Sequence, residues 1–205
     1  AAGQVEPQNL FKGKTRSAFD LQLPKEGTYR VSKVNESVMA NYKLNGEAKR
    51  WRGTEDKLKQ EIPADAKELS ITRTVARLET YVSRGTPDTA ALKAAGKGLE
   101  ILPLTQPAEL FAGEKASFRV LLEGQPVAGQ VVAIVPGGVR YRGVLNEVTA
   151  TTDSKGEFSV NWAAPGMYWL NASYPRMPEV APGAPRPEMP PKRFSTAVTL
   201  EVMPQ

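Results

Sequence analysis

The chain of 205 residues carries 27 lysines and arginines against 22 acidic residues, a net charge of +5, a pI near 9.4, and neither cysteine nor histidine. Without cysteine there are no disulfides, thiolate metal sites or cysteine nucleophiles; without histidine the usual general base and the imidazole ligand of zinc, nickel and copper are gone. At this length the chain can bury roughly 70% of its unfolded surface and fold unstapled, as one large domain or two of about 100 residues each.

The start, "AAGQVEPQNLF", is small and polar and reads as a trimmed end from which a signal peptide has been removed. Period-two alternation follows: Phe19, Leu21 and Leu23 point one way, Pro24 to Gly27 turn, and Tyr29 and Val31 resume the pattern. "VMANYKLNGEAKRWRG" predicts a hairpin about Asn45-Gly46. A two-residue loop pairs Leu44 with Glu47, Tyr42 with Lys49 and Ala40 with Trp51, giving one apolar face and one basic face of Asn41, Lys43, Arg50 and Arg52. "TEDKLKQEI" predicts a short helix capped by Thr54 and closed by Pro63. "LSITRTVARLETYV" returns to a strand, with Thr72, Thr74, Ala76, Leu78, Thr80 and Val82 on one face. "RGTPDTAALKAAGKG" reads as a connector holding a small helix, with Thr86 as N-cap, Pro87 at its first position and Gly96 as its stop.

From Leu99 the pattern is purely β, with candidate strands "LEILPL", "ASFRVLLE", "QVVAIV", "EVTATT", "EFSVNW", "MYWLNASY" and "FSTAVTLEVM". Within "TTDSKGEFSVNWAAPGMYWLNASY", Asp153 to Gly156 and Pro165-Gly166 are turns, and the stretch predicts a pair of hairpins. Phe158, Val160 and Trp162, then Tyr168, Leu170, Ala172 and Tyr174, face the core. "PRMPEVAPGAPRPEMPPKR" holds seven prolines and reads as a long, exposed, partly polyproline-like loop. The expected fold is all-β, as two β-sandwich-like domains: residues 1–85, a linker at 86–98 with a short helix, and 99–205 as an immunoglobulin-like or transthyretin-like sandwich.

Two places repeat Arg-aromatic-Arg, Arg50-Trp51-Arg52 and Arg140-Tyr141-Arg142. In extended chain the two arginines project together and can clamp a carboxylate or phosphate, or else they are solvated strand ends with a core aromatic behind. "PGGVRYRG" lacks the Lys-Ser/Thr and following helix of a phosphate loop, and "TDSKGEF" lacks the carboxylate spacing of a calcium loop. Met177 and Met189 beside Glu179 and Glu188 form a thin thioether-carboxylate candidate for a soft metal. Acidic residues fall in turns and on polar faces and single out no acid-base pair, so a non-enzymatic role is expected. The basic residues are spread along the chain, which argues against nucleic acid, and no apolar run approaches the roughly 20 residues of a membrane span.

The stretches "GTYRVSKVNESVMANYKLNGEAKRWRGT", "GKGLEILPLTQPAELFAGEKASFRVLLEGQPVAGQVVAIVPGGVRYR", "TTDSKGEF" and "APGMYWLNASY" together resemble a bacterial periplasmic family. It is formally a domain of unknown function, labelled a periplasmic component of nickel/cobalt transport (NikM-like). The resemblance spans nearly the whole chain and implies secretion through a cleaved signal peptide, two β-rich domains and a link to metal uptake beside a membrane transporter or a TonB-dependent receptor. It also implies an upstream segment with a histidine near the mature terminus. The first domain is therefore expected to be incomplete at its start, and any transition metal to be held by the segment that these 205 residues lack. The expected function is a periplasmic accessory or binding protein of nickel, cobalt or iron acquisition, with Arg50, Arg52, Arg140 and Arg142 as contacts for an anionic ligand. The competing readings are a protein-interaction module with no small ligand, and an accessory domain of a polysaccharide-active enzyme using Trp51, Trp162 or Trp169 as an aromatic platform.

Overall fold

The computed structural model describes residues 4–178, 181 and 187–205. It is mostly β, as the alternation predicts. Thirteen strands run in chain order: β1 (Gln8–Lys12), β2 (Ser17–Asp20), β3 (Gly27–Leu44), β4 (Glu47–Gly53), β5 (Lys67–Arg84), β6 (Leu99–Pro103), β7 (Lys115–Leu122), β8 (Gln125–Pro126), β9 (Val131–Pro136), β10 (Val148–Thr151), β11 (Glu157–Asn161), β12 (Gly166–Tyr174) and β13 (Lys192–Val202). Helix α1 (Glu55–Glu61) joins β4 to β5, and the one-turn α2 (Val139–Arg142) lies between β9 and β10.

The backbone of the molecule is a ribbon of two 18-residue antiparallel strands, β3 and β5, extended to a seven-stranded sheet of order β10-β9-β12-β13-β5-β3-β4. β13 lies parallel to β5, Lys192 beside Arg73 through Thr199 beside Thr80, so one sheet takes strands from both sides of the 86–98 connector. A smaller sheet, β11-β7-β6 with β8 on β7, packs on the inner face of the first. Trp162, Phe118, Phe158, Tyr168 and Leu170 fill the space between; Phe118 stacks on Phe158 at 5.3 Å and meets Trp162 edge-on at 6.1 Å. A second, smaller core of Val38, Ala40 and Leu58, with Tyr42, Trp51, Ile62 and Ile71 around it, lies under α1 at the far end of the ribbon.

The β3–β4 register agrees with the Asn45-Gly46 prediction residue for residue, Ala40 opposite Trp51 and Leu44 opposite Glu47. Two expectations are corrected. The stretch 151–174 is not a pair of hairpins: β10 pairs β9, β11 pairs β7, and β12 pairs β9 and β13. Each turn carries the chain from one sheet to the other, so that the flanking strands face each other across the core instead of pairing side by side. The connector helix shrinks to a 3-10 turn at Ala90–Leu92, and Thr86 caps nothing there. Asp88 is turned instead to the backbone N–H of Ala90 at 3.1 Å and of Thr28 at 3.5 Å, tying the connector to the start of β3. β2 pairs only β1, in a two-stranded sheet whose every residue is exposed. Thr54 does stand at the N-cap position of α1, though its side chain makes no cap bond.

Candidate docking surface

Strand alternation gives the seven-stranded sheet two faces; the smaller sheet and helix α1 cover the two ends of the inner one, and no element lies over the outer one among the described residues. On the outer face, register aligns Tyr29 and Val31 of β3 with Val82 and Thr80 of β5, Leu78 with Ala197 of β13, and Thr199 with Trp169 of β12. Met167 precedes Trp169 by two residues and so shares its face. Leu78 is 56% exposed, Met167 50%, Trp169 41% and Val82 38%. The folded core shields Trp162, whereas Trp169 stands in water on the opposite side of the same sheet. Large apolar side chains grouped on one exposed sheet face mark an interaction surface.

The basic hairpin continues this face. Arg52 is opposite Met39 and Arg50 opposite Asn41, and both arginines are exposed. The Arg50 guanidinium lies against the Met39 sulfur, with Nη2 at 2.8 Å. Trp51 turns to the other side, half-buried, its indole N–H donating to Glu61 Oε2 at 2.8 Å. With Lys33 between them, the apolar stripe grades into a positive end.

Arg140 and Arg142 do not join this group. They were expected in extended chain, but Gly138 and Gly143 adopt left-handed φ of 77° and 73° and bracket one helical turn. Residues two apart on a helix point about 200° apart, so the two arginines diverge. Arg142 is committed to its own loop: its guanidinium donates to the carbonyls of Gly137, Pro136 and Leu145, the last at 2.7 Å. Arg140 and Tyr141 are exposed, Tyr141 at 91%, so the expected core aromatic is absent there. The two arginine pairs lie five strand spacings apart, about 24 Å across the sheet. They cannot grip one small ligand.

The inner face holds a group that sequence reading missed. Arg77 and Glu79 of β5, Arg30 of β3 and Glu100 of β6 meet where the ribbon passes under the smaller sheet, with Glu79 and Glu100 side chains fully enclosed. Arg77 Nη1 donates to Glu79 Oε1 at 2.9 Å and to Ser32 Oγ at 3.2 Å, and Nη2 to the Lys97 carbonyl at 2.9 Å. Arg30 stands 3.7 Å from Glu79 and 3.6 Å from Glu100. Glu100 accepts the backbone N–H groups of Ala95 and Gly96 at 2.8 and 2.9 Å, pinning the connector. Burial, and then the Glu79 carboxylate, push the Tyr81 hydroxyl well above the ordinary tyrosine range. Two positive and two negative charges balance, both Glu100 oxygens accept backbone N–H groups and Glu79 Oε1 accepts from Arg77. Glu79 Oε2, Arg30 Nη1, Arg77 Nε and the Tyr81 hydroxyl are buried without a hydrogen-bond partner among the described residues. The cluster is a structural clasp between connector, ribbon and sandwich.

Among the described residues no group of three or more aspartates and glutamates is placed to hold a metal ion. Of the thioether-carboxylate candidate, Glu179 lies outside the described residues. No helix of the described residues is long and apolar enough to cross a membrane.

No curated protein matches the chain. Among solved structures, one of a 1.5-MDa bacterial ice-binding adhesin overlaps it at 11% identity and TM-score 0.32, over 88% of this chain and 58% of that one. The chain thus spans little more than half of that structure, and a likeness of this size carries no functional argument. The family is another matter, for its match runs from residue 2 to residue 176: the chain belongs to DUF4198, a domain of unknown function.

Proposed function

We propose that the protein is a secreted, non-enzymatic accessory protein of the bacterial periplasm that docks on a partner protein through the outer face of its seven-stranded sheet. The process it serves is the acquisition of nickel, cobalt or iron, with a membrane transporter or TonB-dependent receptor system as the partner. The observation that carries the docking reading is the uncovered stripe of Leu78, Val82, Met167 and Trp169 grading into Lys33, Arg50 and Arg52. Burying four such side chains supplies the apolar part of an interface, and the arginines supply its charged rim. Metal uptake enters from the family resemblance.

The test is a photo-crosslinking residue placed at Leu78 or Trp169 in the periplasm of a producing cell, with the exposed Lys155 in the turn between β10 and β11 as control. A discrete adduct from positions 78 and 169, absent from 155, is expected; equal labelling at all three, or none at 78 and 169, overturns the reading. A melting-temperature panel with nickel, cobalt, iron, copper and zinc ions tests the other reading, direct metal capture by these residues, which a metal-specific rise would favour.

A further inference from the structure

We propose that the β1–β2 hairpin is an exchange arm, and that in a two-fold dimer β2 of each copy adds as a strand to the open edge of β3 in the other. Between Val31 and Ser37, β3 is paired by β5 on one side only, because β4 first meets β3 at Val38. The N–H of Thr28 points away from β5, as its contact with Asp88 shows, and alternation turns those of Arg30, Ser32, Val34 and Glu36 the same way. That is a row of backbone donors and acceptors aimed outward, the template for an added strand. The arm is the matching half. It pairs only with itself, its Leu10, Phe11 and Phe19 are 55%, 55% and 45% exposed, and a lone two-stranded sheet is marginal in water.

Side-chain chemistry selects the register. With β2 antiparallel to β3 and Phe19 opposite Lys33, Leu21 meets Val31, Ala18 meets the half-exposed Val34, and Arg16 meets Glu36. Neither Arg16 nor Glu36 has an ion-pair partner among the described residues. In this register Phe19 and Leu21 lie on the outer face beside Leu78, and a slip of one residue turns them to the other face and separates Arg16 from Glu36. The chain's own arm is kept from this position: zipping back in the same register sets Leu23 opposite Tyr29 and closes a turn of residues 24–28 on Thr28, whose N–H and hydroxyl are already engaged by Asp88 of the connector. Leu23 is itself held by Arg84, whose Nη1 donates to its carbonyl at 2.6 Å. An arm from a second copy meets only the free run from Val31 to Ser37, and the exchange closes on itself as a symmetric pair.

Light scattering after gel filtration, at about 100 μM protein to populate a weak dimer, tests this. The native chain is expected at twice the monomer mass. Val34→Pro removes an outward N–H without touching the β5 ladder, and a full-length chain carrying Leu10→Ser, Phe11→Ser and Phe19→Ser weakens the arm; each is expected to run as a monomer with native far-UV circular dichroism. A native monomer overturns the proposal, and so does a dimer that survives either change. If Val34→Pro disturbs folding, the triple serine chain decides.

Discussion

The two faces of the seven-stranded sheet are built from the same alternating strands and meet opposite fates. Trp162 and Trp169 mark the contrast: Trp162, just after β11 of the smaller sheet, packs on the inner face at 4.8 Å from Tyr168, and Trp169 of β12 faces solvent with Met167 and Leu78. Inner-face residues carry stability. Outer-face residues are free to carry recognition, because changing them leaves the core intact. The inner face is not simply the apolar one, since it also holds Arg30, Arg77 and Glu79, while the outer face exposes leucine and tryptophan. What separates them is whether a second layer closes over them.

The sharpest way to break this contrast is to truncate the tryptophan that packs against the inner face and the one that stands on the outer face. Trp162→Ala is expected to cost about 3–5 kcal/mol in urea unfolding. Trp169→Ala is expected to stay within about 1 kcal/mol while removing the crosslink to a partner. Equal losses would erase the distinction. Next in size, Glu79→Ala strands Arg77 and Arg30 beneath the smaller sheet and is expected to destabilise by about 3 kcal/mol, with a double-mutant cycle against Arg77→Met recovering part of it.

Arg142→Ala frees three loop carbonyls and is expected to cost about 1–2 kcal/mol, whereas Arg140→Ala costs nothing measurable; the reverse order would show that Arg140 is the engaged one. The smallest effect concerns pH. The Tyr81 pKa is raised in the folded state, so its contribution is present in full below the unfolded value of about 10 and is lost as pH climbs from there toward the folded value. Tyr81→Phe should therefore flatten the fall in melting temperature above about pH 10, and an unchanged slope would show that the hydroxyl is accessible in the folded protein.

Much of the fold was legible because local rules carried it. Asn45-Gly46 determined the β3–β4 register, since a two-residue loop leaves no freedom, and all seven strands expected after Leu99 are present within a residue or two of their expected limits. The Arg50 and Arg52 placement followed from that register alone. Arg140 and Arg142 were misplaced because two glycines permit a helical turn that period-two counting cannot see. The clasp was missed for a different reason: Arg77 and Glu79 alternate like a solvent face, and nothing in their spacing announces that Arg30 of β3 stands beside Glu79 or that Glu100 of β6 returns to meet Arg30.

By itself, then, the sequence determined which segments are extended, where they turn and which side chains share a face, because those depend on neighbours one to four residues away. Tertiary structure alone decided which strands lie side by side, which face is closed and which is left bare, and where the edge of β3 stays open. Those outcomes depend on contacts between residues far apart in the chain, such as Lys192 beside Arg73 and Trp162 across from Phe118, whose energies no local pattern contains.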